Sequence, residues 1–289
     1  MKLVRDFLDY QILDVDNGMK IESWNNVILK RPDPQIIWPS NNPYNGKIDA
    51  IYNRSNKGGG SWDIKNIKMP SSWQVSYRDL TFNLKLMGFK HTGLFPEQAY
   101  NWNMLISKIK EAKREVKVLN LFAYTGAASM AALSAGASVV HVDSSRGMVD
   151  WAKENASACG LSDKPIRYIV DDCKKFVDRE IRRGNKYDII LMDPPSFGRG
   201  SNGQVWDIEK DLYPLVEACS KILSDDAILF LINSYTTGLS MNVLEDVLKL
   251  CIKNKGYITS DELGLPVKNS DLVLPCGIFA RWEKEKYEE

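Results

Sequence analysis

Residues 116–143 read VKVLNLFAYTGAASMAALSAGASVVHVD, and this stretch decides the fold. A short apolar run over 116–122 predicts a buried strand, small residues over 126–136 predict a helix, and SVVHVD at 138–143 predicts a second strand. Strand, tight turn, helix and strand in so few residues make a βαβ unit, which places the two strands parallel in one sheet. Outward from it the alternation continues. Further strands are predicted at 166–170, 187–193 and 227–233, with helices near 145–159, 172–183, 207–223 and 240–254 between and after them. GYITSDEL and DLVLPCGIFARWEK supply two closing strands, and 93–114 predicts a helix leading into the sheet.

The first 80 residues have a different texture. Four of the eight tryptophans (Trp24, Trp38, Trp62 and Trp73) lie among short runs such as YQILDV, MKIESW and NVILKR, separated by DNG and NN turn signals. The division expected is a small β-rich domain over 1–80 and an α/β domain over 81–289.

Composition narrows the function classes. At 289 residues with 44% hydrophobic and 26% charged residues, the chain has the composition of a globular protein and can bury a full core. No run of about 18 apolar residues occurs, and MKLVRDFLDYQILD mixes both charge signs, so a cytoplasmic protein without a membrane partner is expected. Five scattered cysteines form no C-x-x-C pair, which signals reduced thiols and no metal site. With 38 Lys+Arg against 37 Asp+Glu, any nucleic-acid contact must use a local patch.

Four strand ends carry the chemistry. In VLNLFAYTGAAS the first strand ends at Tyr124-Thr125-Gly126 and opens directly into a helix whose free N–H groups suit an anion or carboxylate; a plain tight turn is the alternative. Asp143 lies 17 positions after Gly126, near the spacing at which a carboxylate accepts both hydroxyls of a ribose, though it or Ser144-Ser145 could simply cap the next helix. In IVDDCKKF, Asp171 or Asp172 could accept from an adenine amino group or act as an N-cap, and the sequence does not separate them. YDIILMDPPSFGRG is the most specific: a buried strand delivers Asp193, two prolines hold the chain extended with carbonyls outward, and Phe197 offers a ring for a flat substrate.

Together NLFAYTG, HVD, VDD and DPPSFGRG, preceded by HTGLFPEQ at 91–98, resemble the class I S-adenosylmethionine-dependent methyltransferases of the 23S ribosomal RNA methyltransferase-like group, from about His91 to the C-terminus. The resemblance implies a Rossmann-like α/β sheet of order 3-2-1-4-5-7-6 with strand 7 antiparallel. It implies S-adenosyl-L-methionine as cofactor. The methionine moiety would lie over Asn120, Phe122, Tyr124, Thr125 and Gly126 and over the segment of Phe95 and Gln98, with the ribose at Asp143 and Ser144 and the adenine near Asp172. Asp193, the Pro194 carbonyl and Phe197 would frame the methyl acceptor, with Asp193 also able to bind the cofactor's ammonium.

One departure bears on the reaction. C5 methylation of cytosine uses a thiolate after strand four or five, and those positions read DPPSF and INSYTTG, so direct transfer to a nitrogen or other nucleophile is expected. Cys276 and His141 read as buried structural residues, and His91 as a candidate for the cleft. The loop FGRGSNGQVWD at 197–207 reads as a lid or a plain surface loop, and Arg54, Lys57 and Lys65 around GGG and Trp62 as an RNA contact or an exposed hairpin. RNA is the expected substrate. Methylation of a small molecule or protein, or a noncatalytic RNA-binding module, stays open, as does the oligomeric state.

Overall fold

The computed structural model describes residues 1–55, 59–200 and 203–288, in two compact units. The smaller comprises Lys2–Ala99 with Gly264–Cys276, and the larger comprises Met1, Tyr100–Leu263 and Gly277–Glu289.

The smaller unit starts with β1 (Lys2–Leu3), β2 (Tyr10–Asp16), β3 (Met19–Trp24) and β4 (Val27–Pro32), continues through β5 (Ala50–Arg54) and β6 (Gly60–Ile64), and ends with β7 (Ser72–Tyr77) and β8 (Leu80–Lys85). Strands β2 to β6 form one sheet in chain order, and β7 pairs with β8. The DNG and NN signals act as read: Asn17 and Gly18 (φ 40° and 83°) and Asn25 and Asn26 (φ 48° and 71°) turn the chain with the positive φ pair of tight hairpins. Inward-facing Tyr10, Ile12, Trp24, Leu29, Tyr52 and Phe82 build the core. Beside them Glu22 is fully buried because Arg31 binds it at both oxygens, at 2.5 and 2.8 Å.

The unit does not stop at the expected residue 80. β8 runs to Lys85, and Gly264–Cys276 joins from the far end of the chain, where the Lys268 N–H donates to the Ile12 carbonyl at 2.8 Å. Such a long-range pairing has no local sequence signal. Of the GGG hairpin, residues 56–58, with Lys57, lie outside the described residues, as do 201–202 of the 197–207 loop.

α1 (Ala99–Ala112) leads into the larger unit and begins after a single 3₁₀ turn at Pro96–Gln98, because the residue before a proline is held extended, as Phe95 is (φ −117°, ψ 96°). The unit continues as β9 (Lys117–Leu121), α2 (Ala127–Ser134), β10 (Ser138–Asp143), α3 (Arg146–Ala158), β11 (Ile166–Val170), α4 (Cys173–Arg183) and β12 (Ile189–Met192). A short hairpin, β13 (Phe197–Arg199) and β14 (Val205–Asp207), precedes α5 (Ile208–Ser220), β15 (Leu229–Ser234), α6 (Met241–Cys251), β16 (Tyr257–Pro266) and β17 (Val273–Glu283). The sheet order is β11-β10-β9-β12-β15-β17-β16. Counted by strand within the α/β region this is 3-2-1-4-5-7-6, and β17 runs antiparallel to β15, as the resemblance implied. The central strands β12 (IILM) and β15 (LFLINS) are buried at every position, which is why they read as unbroken apolar runs. Leu119 and Leu121 of β9 point into the cluster formed by α4, α5 and α6, so the alternate residue Asn120 faces α2.

Candidate active site

Strand order reverses between β9 and β12, and the pairing lines up Leu121 with both Val142 and Met192, and Met192 with Ile232. The segments leaving these strands therefore emerge side by side along one sheet edge, at the crevice where α/β folds bind ligands.

The segment after β9 is strained. Phe122 (φ 52°), Tyr124 (φ 51°) and Gly126 (φ 85°) all have left-handed backbones, a conformation that costs bulky residues about 1–3 kcal/mol each. Surrounding elements hold it. The Tyr124 N–H donates to Asp143 Oδ2 at 2.9 Å, the Ala123 N–H to the Val142 carbonyl at 3.0 Å, and the Phe122 N–H to Cys173 Sγ at 3.3 Å. From α3, Asn155 Nδ2 donates to the Thr125 carbonyl at 2.8 Å. Gly126 fits because a Cβ there would stand 2.9 Å from Ala152 Cβ and 3.4 Å from His141 Cε1. It begins α2 without any side-chain cap, so the helix N-terminus keeps its donors and positive dipole end for a ligand.

Beneath the loop lies a polar strut. Asn120 Nδ2 donates to Ser129 Oγ at 3.0 Å, and Ser129 Oγ lies 3.0 Å from His141 Nδ1. All three are buried, so Asn120 contributes as a support of the loop. Burial holds the His141 imidazole at about 4, with the nearby Tyr124 backbone opposing the shift, so it is neutral at pH 7. That agrees with the reading of His141 as a core residue.

Asp143 ends β10 half-buried, with Oδ1 accepting from the Ser145 N–H at 2.8 Å and Oδ2 from Tyr124. Burial raises its pKa and the two backbone donors oppose the rise. Each oxygen accepts one backbone bond, and a carboxylate oxygen has room for a second. Ser144 follows it, half-buried. At the next strand end, Asp171 pairs with Arg179, while Asp172 caps α4 by accepting from the Lys175 N–H at 2.9 Å.

Asp193 follows β12 directly and is half-buried, Pro194 is buried, and Phe197 in the hairpin is 58% exposed. The Pro195 carbonyl accepts from Trp206 Nε1 at 2.6 Å, and Ser196 Oγ meets Thr236 Oγ1 at 2.7 Å, tying the segment to β14 and to the turn after β15. The expected loop at 197–207 is thus an ordered hairpin at its two arms. The sequence reading missed the support roles of Trp206, Cys173, Ser129 and Asn155: the first three stand inside stretches read for other residues, and Asn155 stands in none of them.

The larger unit does not bring every candidate together. Phe95 and Gln98 belong to the smaller unit, where Gln98 is buried and the Phe95 ring lies 5.2 Å from His91. Burial and the charges of Arg31, Lys90 and Lys20 lower the His91 pKa to about 3. Cys276, also in that unit, donates to the Leu274 carbonyl at 3.3 Å, and burial pushes its thiol well above the usual range.

The sequence profile of the S-adenosylmethionine-dependent methyltransferases matches residues 61–249. A solved S-adenosylmethionine-dependent methyltransferase from Agrobacterium tumefaciens is 36% identical, superimposes with a TM-score of 0.93, and covers 98% of this chain and 92% of its own. The chain belongs to this family of methyltransferases. The methyltransferase is also 35% identical over 155 residues to the ribosomal RNA large subunit methyltransferase K/L of Shewanella frigidimarina and 38% identical over 144 residues to that of Pseudoalteromonas atlantica. These matches cover 53% and 49% of this chain but only 21% and 19% of the relatives, so it spans about a fifth of the curated relatives it matches.

S-adenosylmethionine is the family's cofactor, and the site's chemistry fits it: an uncapped helix N-terminus suits a carboxylate, and a carboxylate at the tip of β10 suits a pair of hydroxyls. Among the described residues no group of His, Cys, Asp and Glu could hold a metal ion, and no helix is long and apolar enough to cross a membrane.

Proposed function

We propose that this methyltransferase acts in the cytoplasm on RNA, with large-subunit ribosomal RNA as the substrate. The observation that carries the reading is the 35% and 38% identity to the two large-subunit ribosomal RNA methyltransferases, over 155 and 144 residues. A second observation supports it. In the β13–β14 register Phe197, Arg199 and Val205 share one hairpin face, Phe197 and Val205 are more than half exposed, and a ring beside a guanidinium suits a base beside a phosphate.

When bound, the cofactor would supply a methyl group activated on its sulfonium; the acceptor's lone pair would take the methyl carbon in line as the carbon–sulfur bond breaks, the neutral thioether would leave and the acceptor's proton would pass to water. In this reading Asp143, with Ser144 beside it, takes the ribose hydroxyls, and the α2 N-terminus with Tyr124, Thr125 and Gly126 takes the methionine carboxylate. Asp172 faces the adenine with the oxygen that does not cap α4. Asp193 orients the acceptor or binds the ammonium, the Pro194 carbonyl accepts from the acceptor's N–H, and Phe197 stacks on the base. Asn120 and Phe122 position the loop. Because displacement needs no covalent intermediate with the protein, catalysis consists of positioning and of polar contacts that strengthen as charge redistributes.

The test is nucleoside mass spectrometry of purified 23S ribosomal RNA from cells with and without the gene. One methylated nucleoside should vanish on deletion and return with the wild-type chain but not with Asp193→Ala. An identical set of modified nucleosides in both strains sinks the ribosomal reading. RNA carrying 5-fluorocytosine should give no denaturation-resistant adduct, and an adduct abolished by Cys276→Ser would restore cytosine C5 chemistry.

A further inference from the structure

The β13–β14 hairpin has two faces. Phe197, Arg199 and Val205 lie on the outer one; Gly198 and Trp206, paired in register, lie on the other. Trp206 is the large side chain of that inner face, and it touches two separate segments of the candidate site at once. Its ring packs against Phe122, with centroids 4.8 Å apart at 58°, and its Nε1–H donates to the Pro195 carbonyl at 2.6 Å. Phe122 is the first left-handed residue of the strained loop after β9, and Pro195 stands two positions after Asp193.

A left-handed backbone at phenylalanine persists only when its surroundings over-determine it. The Phe122 N–H is bonded to Cys173 Sγ, and the ring packs on the Trp206 indole, so backbone and side chain each have their own support. Proline segments, for their part, lack the donors that usually anchor a loop, and Pro195 gains its anchor through its carbonyl. Gly198 opposite Trp206 adds no bulk to the inner face, and a Cβ there would already reach 3.5 Å from Pro195 Cγ.

We propose that Trp206 is a positioning residue for methyl transfer: the indole ring sets the cofactor loop through Phe122, and the indole N–H sets the Asp193-Pro194-Pro195 segment, so that the two halves of the reaction share one support. The proposal rests on the methyl-transfer reading of this site, and its two contacts can be separated. Trp206→Phe keeps a ring over Phe122 and loses the donor to Pro195. Trp206→Ala loses both.

Two readouts need no acceptor: calorimetric affinity for S-adenosylmethionine, and hydrogen exchange at the amides of Phe122, Ala123 and Tyr124. In Trp206→Ala the dissociation constant should rise about 10-fold and exchange at those three amides should quicken by a similar factor, while the β10 amides stay as in wild type. In Trp206→Phe the affinity should stay within about threefold, and methyl transfer to RNA from the deletion strain should fall about 10-fold through kcat rather than KM. If Trp206→Ala does not fold, Trp206→Leu, which fills space without a ring, carries the same expectation. Wild-type affinity and exchange in a folded Trp206→Ala or Trp206→Leu overturn the proposal, as does a lowered melting temperature with both readouts unmoved. If the wild-type chain transfers nothing to this RNA, the substrate reading fails, and affinity and exchange still decide the role of Trp206.

Discussion

Substituting Gly126 by alanine separates packing from backbone strain. The residue has φ 85°, and an added Cβ would lie 2.9 Å from Ala152 Cβ and 3.6 Å from Ala152 Cα. A left-handed backbone at alanine costs about 1–2 kcal/mol, and forcing a methyl against a packed helix adds about 1–3 kcal/mol, so Gly126→Ala should lose roughly 2–5 kcal/mol. Gly160 is the control: it also has positive φ, 66°, but nothing lies within 4 Å of a Cβ built on it, so only the strain of about 1–2 kcal/mol applies. In urea unfolding of the larger unit, followed by circular dichroism, the two midpoints should separate clearly. Affinity for S-adenosylmethionine supplies the second axis. Relief of the clash must move α2 away from α3, which shifts the helix N-terminus, so Gly126→Ala should bind about 10-fold or more weakly while Gly160→Ala binds as wild type. Equal stability and equal affinity in the two variants would refute both the steric argument and the assignment of the α2 N-terminus to the cofactor.

Asp143→Ala removes the acceptor of two backbone N–H groups as well as the proposed ribose contact, so it should weaken S-adenosylmethionine binding by about 1.5–3 kcal/mol and lower stability by about 1–3 kcal/mol; unchanged calorimetric affinity in a folded variant removes the ribose role. Asp193→Ala should lower kcat by about 10²- to 10³-fold with thermal stability nearly unchanged, whereas a turn-capping role predicts a loss of about 0.5–2 kcal/mol with turnover retained. For pH, His141 stays neutral when folded down to about 4 but takes a proton near 6.5 when unfolded. The unfolded chain therefore binds more protons across that window, and stability should fall, by up to about 3 kcal/mol, as pH drops from about 6.5 to about 4. His141→Gln should flatten that slope in pH-dependent urea melts, leaving the share due to His91, whose folded value near 3 acts in the same direction; an unaltered slope discards the assignment.

The sheet was legible because parallel strands buried on both faces must be unbroken apolar runs, as in β12 and β15, and because each crossover helix has its own period. Hairpins at Asn17-Gly18 and Asn25-Asn26 were legible because few residues tolerate positive φ at two successive positions. Positive φ at Phe122 and Tyr124 was not, since nothing in the identity of these residues favours it; it follows from bonds to Asp143 and Cys173 supplied by other strands and helices. The same holds for Trp206, whose importance lies in Phe122 and Pro195, 84 and 11 positions away. Asp172 illustrates the converse: the sequence offered a helix cap or an adenine contact, and the cap uses one carboxylate oxygen without consuming the other.

The strained loop also explains why so many polar groups are spent underneath it. Two bulky left-handed residues cost about 2–6 kcal/mol together, while the bonds at Phe122, Ala123, Tyr124 and Thr125 return about 1 kcal/mol each. The two terms are of similar size, so the loop holds its shape only while all the supports are present, and loss of any one shifts it. A loop shaped in advance has little ordering entropy left to lose when a ligand arrives, which leaves more of the contact energy for affinity and orientation. The strut of Asn120, Ser129 and His141 extends that logic one layer deeper. A neutral His141 serves it without introducing a buried charge, so the fold that shapes the loop is also the fold that keeps this imidazole unprotonated at physiological pH.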